Sequence, residues 1–237
     1  MILAVDCGNT RLKWGLYEGG AWGKTGAVDL ADMGSLERRW RTFSAVHKVV
    51  VANVAGPSAR VKLANIFSRL RLGAVWVEAK RRECGVTNSY SRPARLGADR
   101  WAALIGAWSI VRGPCLIVMA GTATTVDVLG GNGRFAGGAI LPGLEMMKRS
   151  LAKDTARLPH ARGRFSVRPR STADAIETGC LLAQAGAIER LFSTLERGAK
   201  CLLAGGAAAR IAPHLRIQAR EAENLVLEGL VRIAGAE

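Results

Sequence analysis

Ile2-Leu3-Ala4-Val5-Asp6-Cys7-Gly8-Asn9-Thr10-Arg11-Leu12-Lys13-Trp14-Gly15-Leu16-Tyr17 carries the pattern that decides the fold. A short apolar run ends on an acid and a turn of small polar residues. The chain then alternates along Leu12 to Tyr17 and turns again at Glu18-Gly19-Gly20, which reads as a β-meander. The same phrase returns further on. Leu116-Ile117-Val118-Met119 enters Ala120-Gly121-Thr122-Ala123-Thr124 and leaves as a strand from Thr125 to Leu129. The turn Gly130-Gly131-Asn132-Gly133 and a strand from Phe135 to Ile140 follow. The two loops lie roughly 115 residues apart, close to half the chain, so the sequence divides into halves at 1–112 and 113–237. Both loops offer small residues that let backbone N–H groups approach a ligand, and hydroxyls that can donate to anionic oxygens. Facing each other, they would grip a phosphate chain from both sides.

Between these landmarks the pattern alternates helix and strand. Helices are expected over 33–43, 58–70 behind Pro57, 98–111, from Pro142-Gly143 to about 153, 172–195 and 221–233. Strands are expected over 48–54, 74–77 and 200–203, and Asn88 to Leu96 reads as a loop. The class is α/β.

Of 237 residues, 49% are hydrophobic and 22% charged, a globular composition able to bury a core. No stretch approaches the roughly 20 apolar residues a membrane span needs. The N-terminus lacks the basic region of a signal peptide, so a cytoplasmic protein is expected, without membrane attachment. The cysteines (Cys7, Cys84, Cys115, Cys180, Cys201) are odd in number and scattered, which suits reduced thiols and neither disulfides nor zinc. The formal charge of +15 raises the question of nucleic acid. Its densest run, Lys148 to Arg170, reads either as a solvated loop or as a patch for a polyanion. Only Phe165 lies inside it, so a stacking platform is missing and nucleic acid is not expected.

The common nucleotide motifs fail. Gly19-Gly20-Ala21-Trp22-Gly23-Lys24-Thr25 has Glu18 where a P-loop needs its first glycine, and it sits in a hairpin. Gly131-Asn132-Gly133 is followed by no helix. Asp6 to Thr10 with Lys13 is more specific: an acid at a strand end can hold hydrated Mg²⁺ while turn amides and Thr10 bind phosphate. A plain hairpin turn is the competing reading.

Asp6-Cys7-Gly8-Asn9-Thr10, Pro93-Ala94-Arg95-Leu96-Gly97-Ala98-Asp99-Arg100, Gly121-Thr122-Ala123-Thr124-Thr125, Gly137-Gly138-Ala139-Ile140-Leu141-Pro142-Gly143, and Ser171-Thr172 before Gly179 occur in this order. The set resembles type III pantothenate kinase over nearly the whole chain. The resemblance implies two ribonuclease-H-like halves, a duplicated mixed β-sheet with flanking helices, with an ATP cleft between them. It also implies transfer of the γ-phosphoryl of ATP to pantothenate, the first step of coenzyme A synthesis. Asp6, Cys7, Gly8, Asn9, Thr10, Arg11, Leu12, Lys13 and Thr122 would contact ATP, with Asp6 on Mg²⁺. Asp99 would be the general base, and Tyr90, Gly97, Ala98, Arg100 and Thr172 would surround pantothenate. A homodimer is implied, because in this family the pocket is completed by the second subunit. Asp99 could also be a dipole-favoured acid at a helix start, and Thr172 a helix N-cap.

The sequence departs from the family pattern twice. Members that need potassium or ammonium place an Asp where this chain has Met119, a thioether without affinity for a hard cation, so the monovalent-ion requirement is not expected here. After Gly205-Gly206 the chain continues Ala207-Ala208 without an acid, which leaves adenosine contact to backbone. Asp127 reads equally as a group near the phosphates and as a buried strand-end acid. A non-catalytic transcription-accessory protein on the same scaffold is the alternative function, and a sugar or small-acid kinase the third.

Overall fold

The computed structural model describes residues 1–43, 45–160 and 162–235. The chain forms two compact units, Met1–Arg112 joined by the segment from Asn224, and Gly113–Glu223. The expected second half, 113–237, therefore gives up its last helix to the first unit.

The first unit begins with the meander β1 (Ile2–Cys7), β2 (Arg11–Glu18) and β3 (Ala21–Asp29). Gly19 and Gly20 take φ 58° and 84°, both left-handed, which closes the two-residue hairpin between β2 and β3. A 3-10 turn, Leu30–Ser35, leads into α1 (Leu36–Trp40), and β4 (Lys48–Asn53), α2 (Pro57–Arg69) and β5 (Ala74–Trp76) follow. The expected helix over 33–43 is thus a 3-10 turn and five helical residues, enough to bury Met33, Leu36 and Trp40. The sheet runs β3-β2-β1-β4-β5, with β1 antiparallel to β2 and parallel to β4. Trp40 stacks on Phe67 of α2, ring centroids 5.6 Å apart, and meets Trp14 of β2 edge-on at 6.4 Å. A two-strand hairpin, β6 (Arg82–Glu83) and β7 (Val86–Asn88), then leads to α3 (Ala98–Val111). Arg112 ends α3 in the left-handed conformation, its N–H on Trp108 O, and Gly113-Pro114 prevents continuation.

The second unit repeats the plan. β8 (Cys115–Ala120), β9 (Ala123–Leu129) and β10 (Arg134–Pro142) form the meander, followed by α4 (Leu144–Asp154), α5 (Thr172–Phe192), β11 (Lys200–Ala204), α6 (Ala208–Ile211) and β12 (Ala219–Glu221). The strand order β10-β9-β8-β11-β12 matches that of the first unit, with β8 antiparallel to β9 and parallel to β11. Leu116, Val118 and Val126 share a core with Ile176, Leu181 and Ile188 of α5.

The last helix, α7 (Leu225–Ile233), is shorter than the expected 221–233. Glu221 pairs with Leu203 in β12, and Asn224 turns the chain at φ 57°. α7 packs on α3 and β1, and glycine lets it approach α3 closely: a Cβ on Gly229 would overlap the Ala102 carbonyl, and one on Gly106 the Leu225 carbonyl. Gly229→Ala is therefore expected to destabilise the protein by about 2–4 kcal/mol, because backbone rather than a movable side chain blocks the methyl. Chemical denaturation measures this; an unchanged midpoint would contradict so close an approach.

Candidate active site

At the end of β1, Asp6 lies directly across from Lys13 on β2 and beside Ala52 on β4. Val54 N–H donates to Cys7 O, and Gly8 N–H to Arg11 O at 3.1 Å, which shapes the turn. Cys7 and Leu12 point into the core and can offer a ligand only backbone, whereas Asn9, Thr10 and Arg11 are exposed. Arg11 Nε is 3.7 Å from Asp29. Burial, and next the negative charge of Asp99, push the Asp6 carboxyl up to about 7, while Lys13 opposes them. Asp6 and Asp99 thus raise each other's cost of ionisation, an arrangement that a divalent ion beside Asp6 would relieve.

Asp99 lies in the first turn of α3, its Oδ1 accepting from Arg100 N at 2.8 Å. Gly97 stands at the N-cap; a Cβ there would meet that same Oδ1 at 2.6 Å, so glycine leaves the carboxylate its room. Ala98 is the first helical residue. Burial raises the Asp99 carboxyl above the ordinary carboxylate range, partly offset by the Arg100 amide and guanidinium. Arg100 is buried, with 6% of its surface exposed; Nη1 donates to Tyr90 Oη at 3.2 Å, and the guanidinium lies 5.9 Å from the Tyr90 ring centre. Asp6, Lys13, Asp99, Arg100 and Tyr90 thus all belong to the first unit.

Thr122 and Thr172 belong to the second unit. The β8–β9 turn is fixed by Gly121 N–H on Ala123 O, and Thr122 O accepts from Gly143 N at 3.0 Å, immediately before α4. Glycine is required at position 143, since a Cβ would overlap the Gly121 and Thr122 carbonyls. The Gly205 loop joins the same cluster through Ala207 N–H on Ala120 O. Behind it, Arg210 bridges Glu145 of α4 at 2.5 Å and Glu177 of α5 at 2.7 Å, and the buried Lys148 also pairs with Glu177. Thr172 is the first residue of α5, but the capping oxygen is that of Ser171, which accepts from Asp174 N at 3.2 Å. Thr172 instead lines a largely apolar cavity of about 660 Å³ with Met146, Met147, Ile176 and Gly179. Met119 is partly buried on β8, and Asp127 is fully buried within β9 opposite Gly138.

Arg81 and Asn88 had no sequence signal. Both hold the Tyr90 loop by its backbone, a role that leaves no periodicity to read.

A family model described as type III pantothenate kinase matches residues 2–194. The chain belongs to the type III pantothenate kinase family. Curated type III pantothenate kinases of Aromatoleum aromaticum and Dechloromonas aromatica are 48% identical over 236 residues and 49% identical over 235. These matches cover 99% of this chain and 98% and 99% of the relatives. Among solved structures, a Campylobacter jejuni chain described as a Baf family transcriptional activator superposes with TM-score 0.67 at 21% identity, covering 98% of this chain and 97% of that one. A Sinorhizobium meliloti chain described as a 2-dehydro-3-deoxygalactonokinase gives TM-score 0.64 at 16% identity, covering 99% and 98%. At those identities the likeness shows the fold alone: mixed α/β with two mixed sheets and flanking helices. For a type III pantothenate kinase the reaction is ATP-dependent, and the non-catalytic alternative is not favoured.

Proposed function

We propose that this kinase moves the γ-phosphoryl of ATP to the primary hydroxyl of pantothenate with Asp99 as general base, the first step of coenzyme A synthesis. The observation that carries the reading is Asp99 on α3, next to the buried Arg100 that bonds Tyr90. A neutral alcohol attacks phosphorus well only if its proton has an acceptor, and a carboxylate whose burial raises its basicity is suited to take it. Arg100 offers the carboxylate of pantothenate a planar fork, with Tyr90 beside it, and Gly97 and Ala98 leave room for the substrate. Thr172 is carried over from the family resemblance as a further pantothenate contact.

In this reading the amides of Cys7 to Leu12 and the Thr10 hydroxyl would bind ATP phosphates, with Lys13 as a point charge; Thr122 is carried over from the family resemblance as a further phosphate contact. Mg²⁺ fits Asp6. Asp6 would hold the ion together with phosphate oxygens and water, the usual manner of Mg²⁺ in kinases. When bound, Mg²⁺ neutralises the charge that develops on the transferring group.

No helix among the described residues is long and apolar enough to cross a membrane. We propose a cytoplasmic homodimer, as the family resemblance implies; the apolar cavity beside Thr172 offers a surface for the second subunit. The decisive experiment is phosphorylation of pantothenate by purified protein with ATP and magnesium. No turnover, with or without potassium and ammonium, would favour the regulatory alternative.

Met119 sets a separate expectation. A buried carboxylate facing phosphate would need a cation, whereas a thioether has no charge to neutralise. Activity in sodium, potassium and ammonium buffers of equal ionic strength is therefore expected to be nearly the same. Met119→Asp should create a potassium or ammonium requirement or inactivate the enzyme. Strong potassium dependence of the unmodified protein would mean that other groups, such as carbonyls beside Gly121, hold the ion.

A further inference from the structure

The loop that carries Tyr90 contains little packed apolar surface, yet it is ordered by a dense set of polar contacts. Arg81 Nη1 donates to the carbonyls of Asn88 and Tyr90, both at 3.0 Å, and Nη2 reaches the Ser91 carbonyl at 3.5 Å. Asn88 N–H donates back to Arg81 O at 2.9 Å. The Asn88 side chain is fully buried; its Oδ1 accepts from Tyr90 N–H at 3.0 Å, and its Nδ2 donates to Pro93 O at 3.3 Å. Apart from the bond back to the Arg81 carbonyl, these bonds land on backbone at or beside Tyr90, whose hydroxyl accepts from Arg100.

We infer that Arg81 is a positioning residue for pantothenate recognition: its guanidinium spans the loop on both sides of Tyr90 and, with Asn88 as the buried pivot, sets where Tyr90 and Arg100 present themselves. This rests on the reading of Tyr90 and Arg100 as substrate contacts. A role in stability alone is a poor account of the arrangement. Arg81 is exposed, and the Tyr90 and Ser91 carbonyls it grips could turn to water at little cost; the Asn88 carbonyl, on a fully buried residue, is the one bond among them whose loss costs stability. What water cannot reproduce is a fixed loop before substrate arrives, and an unfixed loop must be ordered at the expense of binding. Arginine suits the task because one rigid fork addresses several carbonyls at once, which a lysine ammonium on a flexible stem does less well.

The test compares Arg81→Ala and Arg81→Lys with Tyr90→Phe and Arg100→Met, with KM for pantothenate, KM for ATP, kcat and thermal midpoint measured for each. Arg81→Ala is expected to raise KM for pantothenate about tenfold, leave KM for ATP nearly unchanged, lower the thermal midpoint by only about 2–4 °C, and be partly rescued in Arg81→Lys. An unchanged KM for pantothenate in Arg81→Ala, with Tyr90→Phe and Arg100→Met impaired, overturns the positioning role and leaves the substrate site standing. Equal changes in both KM values, or a large fall in midpoint, reduce Arg81 to a structural role and also overturn it. If Tyr90→Phe and Arg100→Met leave KM for pantothenate unaltered, the site reading itself fails.

Discussion

Asp99→Asn is expected to lower kcat by roughly 10²–10⁴-fold while pantothenate still binds. The amide keeps the shape of the carboxylate and can still accept from Arg100 N–H, so the start of α3 and the Arg100–Tyr90 pair should survive. It cannot take a proton from the attacking hydroxyl. In the unmodified enzyme, burial raises the Asp99 carboxyl, so turnover should fall on the acid side at a pH above the ordinary Asp range, as the base becomes protonated. Steady-state kinetics with calorimetric binding of pantothenate checks both statements. Near-normal turnover in Asp99→Asn would remove it from the chemistry.

Asp6→Asn should separate activity from stability. Loss of the carboxylate weakens magnesium-dependent use of ATP, seen as a collapse of kcat/KM for ATP and an altered magnesium dependence. In the ligand-free protein the same substitution should stabilise the fold at pH 8. The folded chain holds the Asp6 proton up to about 7, whereas the unfolded chain releases it near 3.8, so this group's contribution is present at pH 3–4 and is lost as pH rises toward 7. Asparagine carries no such term. The gain at pH 8 is on the order of 2 kcal/mol, the 1.36 kcal/mol per pKa unit being discounted for partial solvent access. At pH 4 it should vanish. A destabilised variant at pH 8, or unchanged magnesium dependence, would contradict the assignment of Asp6.

Much of this was legible in the chain because the signals were local. The β1–β2 and β8–β9 phrases each show a short apolar run into a turn of small polar residues and a second strand leaving it, and α3 falls on its expected span, 98–111, because Gly97 precedes it and Arg112-Gly113-Pro114 stops it. The expected helix start at Glu221 is a strand end instead: Glu221, Ala222 and Glu223 favour helix by composition, while pairing of Glu221 with Leu203 of β11, a tertiary event, decides for strand. The β6–β7 hairpin has strands too short for any period to show. Adjacent Ser171 and Thr172 are equally good caps by composition, and only geometry gives the bond to Ser171. Cys7 and Leu12 sit inside a phosphate-binding stretch, yet their alternation already places them inward, so of the ATP contacts only their backbone was ever on offer.

The allegiance of α7 has a consequence for how the protein is made. The second unit is continuous in sequence and can close as soon as Glu223 has left the ribosome, whereas the first, though synthesised earlier, is interrupted by it. Until Leu225 to Ile233 emerge, the side of α3 that carries Gly106 and the flank of β1 lack the cover α7 gives them, and the nascent chain holds that surface open through the synthesis of about half its length. The part translated first is completed last. A message truncated before α7 would yield a finished second unit attached to a first unit without its lid helix, a natural substrate for chaperones and proteases.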